Sequence, residues 1–240
     1  MRQFIFEKNL PSLAYITNNW PNTKHLLKKF ILSNQKKPNF YKLCVSCLNE
    51  LNVYKIGNFK EVIKILSKKS SMNFTFNSYH DQHHFKSVII ISCLLAKLSN
   101  FKAKDEIIWL ILIALTHDLF HQGRRIIKTS YYQEEKSFKE LYFVAFKKLL
   151  NHKKFKRFEK IFRSTYFPIK PEKVDDELEK IILDADILAS LMFGMNTGIK
   201  LAERLKHEIR FEGRSDELFG GFLKFLSTKD LYLKTSKNSC

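Results

Sequence analysis

The stretch "AKDEIIWLILIALTHDLFHQG", residues 103–123, decides how the chain is read. An unbroken apolar run, residues 107–115, leads straight into Thr116, His117 and Asp118, with His121 one helical turn past His117. The run is about half of the ~18 apolar residues a membrane span needs, so it predicts a buried helix and no membrane span. Polar groups at the end of such a helix are costly unless they are paired or bound to a metal.

The flanking sequence is helical throughout. Apolar residues recur at spacings of three and four in "TKHLLKKFILSN", "FYKLCVSCLNELN", "NFKEVIKILSKK", "HHFKSVIIISCLLAKLSN", "EEKSFKELYFVAFKKLLN" and "VDDELEKIILDADILASLMFG". No sustained alternation argues for a sheet. Pro38, Gly57 with Asn58, and Pro168 with Pro171 fall where helix punctuation is expected. The expectation is an all-α fold, a single compact multi-helix bundle with an N-terminal helical extension.

At 240 residues the chain has room for one main domain and an appendage. Hydrophobic residues make up 45% and aromatics 14%, which excludes a disordered chain. The N-terminus lacks a continuous apolar segment and a cleavage site of small residues, so a cytoplasmic protein is expected. Cys44, Cys47, Cys93 and Cys240 do not form a disulfide framework in a chain of this length. Cys44 and Cys47 fall on the apolar side of an amphipathic helix and are expected in the core. The net charge of +18 is mostly lysine, spread from Lys8 to Lys237. It favours an anionic substrate or surface mildly, and admits nucleic acid as an alternative partner.

Residues 77–88, "NSYHDQHHFKSV", place three of the eight histidines within five positions. On a helix His80 and His84 share a face, four residues apart, while His83 lies to one side. Asp186, in "IILDADILASLM", shares its face with Ile182, Ala189 and Phe193, a carboxylate aimed at a core. Three helices thus each direct His or Asp groups inward. Imidazole and carboxylate together suit zinc, iron or manganese, so His84, His117, Asp118 and Asp186 are candidate metal ligands.

The order of these motifs resembles the HD-domain metal-dependent phosphohydrolases, and most closely their class I cyclic-nucleotide phosphodiesterase branch. That branch's Y-H-N-x-x-H is matched by residues 79–84 with one change, and its H-D-x-x-H-x-G in full by residues 117–123. An S-x-x-E at Ser137 and Glu140, and an A-D-hydrophobic motif at residues 185–187, follow in order. The resemblance implies two divalent ions. A tight site of zinc, iron or manganese would be held by His84, His117, Asp118 and Asp186. A second site, of magnesium or manganese, would share Asp118, with His121 and Glu140 orienting its waters. It also implies attack by a hydroxide bridging the ions, with His80 as the general acid that protonates the leaving oxygen.

The expected function is therefore hydrolysis of a nucleotide phosphodiester, such as a 3',5'-cyclic nucleotide opened to its 5'-monophosphate. Asp81 stands where the branch has Asn, and an acid there should raise the pKa of His80. Ser87 replaces an acidic position. "RRIIKTS" puts Arg124 and Arg125 near the mouth, where they could clamp phosphates. "FGGF", residues 219–222, has Phe in place of the Gln that reads a purine, leaving Phe222 to stack on a base. Two alternatives stand beside this reading. One is an HD-type nucleotide phosphomonoesterase or pyrophosphohydrolase, the other a basic nucleic-acid-binding protein with a vestigial core. Expected boundaries are 1–73 for the extension, 74–227 for the phosphohydrolase core and 228–240 for a C-terminal tail. The extension could serve as a cap over the pocket or as a homodimer surface.

Overall fold

A computed structural model describes residues 10–33, 38–72, 77–121, 123, 130–149, 151–166, 173–227 and 231–237. Among them are twelve helices and no strand, the all-α bundle expected. In order they are α1 (Leu13–Asn18), α2 (Lys24–Ser33), α3 (Phe40–Glu50), α4 (Phe59–Met72), α5 (Gln82–Leu98), α6 (Lys104–Thr116), α7 (Tyr132–Leu149), α8 (His152–Ser164), α9 (Glu177–Leu191), α10 (Met195–Ile209), α11 (Ser215–Ser227) and α12 (Lys234–Lys237). None is long and apolar enough to cross a membrane.

Two helices explain the rest. In α5 every residue from 84 to 96 is buried, and in α6 every residue from 107 to 116. A helix apolar on all sides must be surrounded, and here neighbours pack round both. α5 packs on α9, α6 and α3, while α6 also touches α4 and α7. The polar ends of these two central helices, residues 80–84 and 117–121, consequently lie deep in the fold.

The N-terminal helices share this core. Ile16, Leu27, Phe40, Cys44, Cys47, Leu48, Ile63 and Leu66 belong to one hydrophobic cluster with Phe85, Ile90, Trp109 and Leu112. Residues 10–33 and 38–72 thus complete the wall of the bundle. Cys44 and Cys47 are buried free thiols, as the periodicity predicts, and Cys93 is a third. Burial pushes the Cys44 thiol far above its ordinary range, which suits a packing residue.

Polar side chains tie the helix ends together. Lys86, buried in the apolar stretch of α5, donates to the Phe30 carbonyl of α2 at 3.0 Å and lies 4.1 Å from the Phe30 ring centroid. Ser70 of α4 donates to the Leu115 carbonyl at 3.0 Å, satisfying an acceptor that the last turn of α6 leaves open. Residues 231–237 are tied to the bundle. Asp184, fully buried on α9, accepts the Tyr232 and Leu233 N–H groups at 2.9 and 2.8 Å and pins the start of α12.

Candidate metal centre

The first donor group is assembled from three places. His84 comes from the first turn of α5, His117 and Asp118 from the turn that ends α6, and Asp186 from the middle of α9. Their donor atoms lie within 4.8 Å of one another. His84 Nε2 is 3.2 Å from Asp118 Oδ2 and 3.2 Å from Asp186 Oδ1, and His117 Nε2 is 3.1 Å and 3.9 Å from the same two oxygens. Ligands about 2.1 Å from a shared ion stand about 3.4 Å apart in a tetrahedral array, and about 3.0 Å (adjacent) or 4.2 Å (opposed) in an octahedral one. The observed spread fits a single divalent cation.

The histidines carry a second sign of this. Among the described residues, Nε2 of both His84 and His117 is buried and has no well-aligned hydrogen-bond partner, although carboxylate oxygens of Asp118 and Asp186 stand close by. A buried polar atom left bare costs about 1–3 kcal/mol, so a lone pair aimed at an ion is the economical explanation. The His117 tautomer is fixed to match. Its Nδ1 lies 3.0 Å from the Ala114 carbonyl, which can only accept, so Nδ1 holds the proton and Nε2 the lone pair. Burial opposes charge on His84, yet the carboxylates of Asp118 and Asp186 override it and push its pKa up to about 10. Burial likewise opposes charge on Asp118, while His117 and His84 hold its carboxyl well below the usual range. Negative charge is thus concentrated where a cation would stand, and imidazole with carboxylate is a donor set suited to one.

Beside it is a second group, His80, His121 and Glu208, whose donor atoms also lie within 4.8 Å of one another. The His80 and His121 rings stack, with centroids 3.5 Å apart and an interplanar angle of 24°. Glu208, near the end of α10, is the residue that sequence reasoning missed. Its Oε2 accepts the Tyr79 and His80 backbone N–H groups at 2.8 and 3.0 Å, and its Oε1 takes the His80 Nδ1–H at 2.6 Å. Oε1 is also 3.3 Å from His121 Nδ1. Burial raises the Glu208 pKa, but the neighbouring His121 and His80 rings win, with the Tyr79 N–H, and hold the carboxyl well below its usual range. The remaining nitrogen of His80, Nε2, is 4.0 Å from Asp118 Oδ2, so His80 faces the first donor group. Glu208 lies 128 residues from His80 and matches no local motif, so no signal in the sequence singled it out.

The expected rise in the His80 pKa is not found. Burial and the neighbouring His121 lower it, against Glu208 and Asp118, which raise it. Asp81 is engaged elsewhere. One oxygen caps α5 by accepting the His83 and His84 N–H groups at 2.8 and 3.3 Å, and the other pairs with Arg204 of α10. The charge of Asp81 is thereby matched by a cation from α10.

Gly123 closes the turn. It has φ +59°, and a Cβ there would stand 3.2 Å from Asn77 Oδ1 and from Glu208 Cγ. Only glycine serves both the conformation and the close approach. Its N–H reaches His121 Nδ1 at 3.2 Å, and Asn77 donates to the His121 carbonyl at 2.9 Å.

The other expected residues are placed differently. Glu140 of α7 belongs to neither donor group and pairs with Lys69 of α4. Phe222 is half-buried on α11, which packs on α10, and its ring is 6.5 Å from that of Phe219. Arg124 and Arg125 lie outside the described residues. His83, half-buried, lines a cavity of about 90 Å³ with Ser87, Arg204, Ile31 and Leu32, on the α2 side of His84. Comparison with protein-family models, curated proteins and solved structures finds no match in any of the three.

Proposed function

We propose that this chain is a metal-dependent phosphohydrolase of the HD-domain type, hydrolysing a nucleotide phosphodiester such as a 3',5'-cyclic nucleotide to its 5'-monophosphate. The observation that carries the reading is the convergence of His84, His117, Asp118 and Asp186, with bare buried imidazole nitrogens, next to the proton-carrying pair His80 and Glu208. Zinc, iron or manganese at this group, and magnesium or manganese beside it, would neutralise the phosphate and acidify water near neutral pH.

The chain's own residues supply the rest. His84 and His117 present lone pairs, with the His117 tautomer set by Ala114. Asp118 and Asp186 supply negative charge, and Asp118 has a second oxygen with which to share a second cation. Glu208 holds the His80 Nδ1–H and supports a positive ring, so a proton on His80 Nε2, the nitrogen towards Asp118, can pass to the leaving oxygen. A leaving alkoxide needs that proton, and an imidazole is the side chain suited to carry it. Burial and the stacked His121 disfavour a positive His80 ring, against Glu208 and Asp118, which favour it.

The test combines metal analysis of the wild type and Asp118→Ala with hydrolysis of cyclic and linear nucleotides in added manganese or magnesium. The expected result is a bound divalent ion that Asp118→Ala loses, and a 5'-monophosphate formed without free phosphate. Release of phosphate or pyrophosphate would move the assignment to a phosphomonoesterase or pyrophosphohydrolase. A metal-free protein that turns nothing over and binds RNA with a steep salt dependence would overturn the enzyme reading.

A further inference from the structure

We infer that Glu134 is the carboxylate that α7 gives to the site, and that it takes the proton of the attacking water. The inference rests on the phosphohydrolase reading above. Glu134 stands in the first turn of α7 with 6% of its surface exposed, and its buried Oε2 has no hydrogen-bond partner among the described residues. Ser137, three residues on and therefore on the same helix face, is fully buried and accepts the Phe120 N–H at 3.2 Å. That face of α7 is thus the one laid against residues 117–121.

The other acids of α7 are committed elsewhere. Glu135 pairs with Arg163 at 2.6 Å and Glu140 with Lys69. The charged groups that act on Glu134 are Asp118 and His121 from the turn, and Glu135 from its own helix. Burial above all, then Asp118 and Glu135, lift its carboxyl to about 7, against the opposing pull of His121. A carboxylate so placed is a stronger base than an ordinary one and still ionises near neutrality.

The step balances. As the water oxygen bonds to phosphorus, its proton passes to the Glu134 carboxylate. The bond from phosphorus to the leaving oxygen breaks, and that oxygen takes the proton from His80. One water is consumed, and exchange with solvent then removes the proton from Glu134 and returns one to His80.

The test uses the full chain as wild type, Glu134→Gln, Glu134→Asp and Glu135→Gln. Infrared difference spectra of the metal-free proteins follow the protonated-carboxyl stretch across neutral pH, and the manganese-loaded proteins are assayed for bound metal and for the pH profile of kcat/KM. The expected band titrates across neutral pH in the wild type and in Glu135→Gln, and is missing from Glu134→Gln. In that variant bound manganese is unchanged, the rate falls about 100-fold or more and the acidic limb of the profile disappears. Glu134→Asp keeps the limb at a reduced rate. A band that survives Glu134→Gln, or a rate within about two-fold of wild type, overturns the assignment. Loss of manganese in Glu134→Gln also overturns it, since the residue would then be a ligand and not a proton carrier. A wild type that binds manganese and hydrolyses nothing overturns the phosphohydrolase reading, whereas an active wild type with an unaffected Glu134→Gln overturns only the role of Glu134.

Discussion

Replacing Glu208 by Gln probes the centre of the second donor group with almost no change of shape. The wild-type carboxylate accepts the Tyr79 and His80 backbone N–H groups on one oxygen and the His80 Nδ1–H on the other. An amide has one oxygen. If that oxygen keeps the two backbone donors, the NH2 faces His80 Nδ1, which must then accept, and the His80 proton moves to Nε2. A hydrogen bond to a charged acceptor contributes about 1.5–3 kcal/mol and one to a neutral acceptor about 0.5–1.5 kcal/mol. Two backbone bonds therefore lose about 2–3 kcal/mol between them, and relief from burying a charge returns part of this. We expect a net destabilisation of about 2 kcal/mol, read as a lower urea midpoint at unchanged m-value. The tautomer change is read separately, from long-range nitrogen–proton correlations of the labelled histidine ring. Turnover should fall by about 10²–10⁴-fold with metal content retained, because an amide that donates to Nδ1 opposes the doubly protonated ring, the form that can release a proton from Nε2 and remain a neutral imidazole. A variant that keeps the wild-type tautomer at His80 and the wild-type urea midpoint would refute this account of Glu208.

Three further outcomes follow from the packing. Asp184→Ala leaves the Tyr232 and Leu233 N–H groups without their acceptor, and should cost about 3 kcal/mol and speed hydrogen exchange across residues 231–237. Unchanged exchange there would count against the clamp. Gly198→Ala places a methyl group into the Phe219 ring where α10 meets α11, for an expected loss of about 1–3 kcal/mol that Phe219→Leu in the same chain should partly restore. If the double variant is no more stable than Gly198→Ala, the clash is not the cause. Asp176 caps α9 and pairs with Arg157, which also binds Glu106. Burial raises the Asp176 pKa, but the Arg157 hydrogen bonds and the Leu178 and Glu179 N–H groups hold it below the usual range. A depressed carboxyl contributes stability that is complete above its unfolded pKa of about 3.9 and is lost as pH falls through the folded value. Stability should thus decline below about pH 4, by about 1 kcal/mol after allowance for the solvent that screens this half-exposed pair. Asp176→Asn should flatten that part of the curve in urea titrations at stepped pH.

The all-α fold was legible because period-3.6 patterning is a local property, and the burial of α6 could be read from its unbroken apolar run. The residues of the two donor groups, Glu208 apart, were legible for a related reason. His84, and His117 with Asp118 and His121, lie within single short stretches of chain, whereas His80 stands before the Asp81 cap of α5 and not on the helix face that its four-residue spacing from His84 suggested. Asp186 could be found because a carboxylate among Ile182, Ala189 and Phe193 breaks an apolar face.

What the sequence could not provide is the partner of each of these groups across the bundle. Glu208 meets His80 only because α10 returns alongside the start of α5, and Arg204 meets Asp81 for the same reason. Asp184 and Asp186 look alike in "LDADI", yet one pins the C-terminal segment and the other joins the donor group, a division fixed by the 200° between their directions on the helix. Glu134 and Glu140 both precede or follow Ser137 by three residues, and only packing against the turn at residues 117–121 distinguishes them. Sequence determined the elements and the donor atoms within each, since these depend on neighbours along the chain. Tertiary structure alone decided which buried charges face one another, because in a low-dielectric interior that depends on contact between helices and not on separation in sequence.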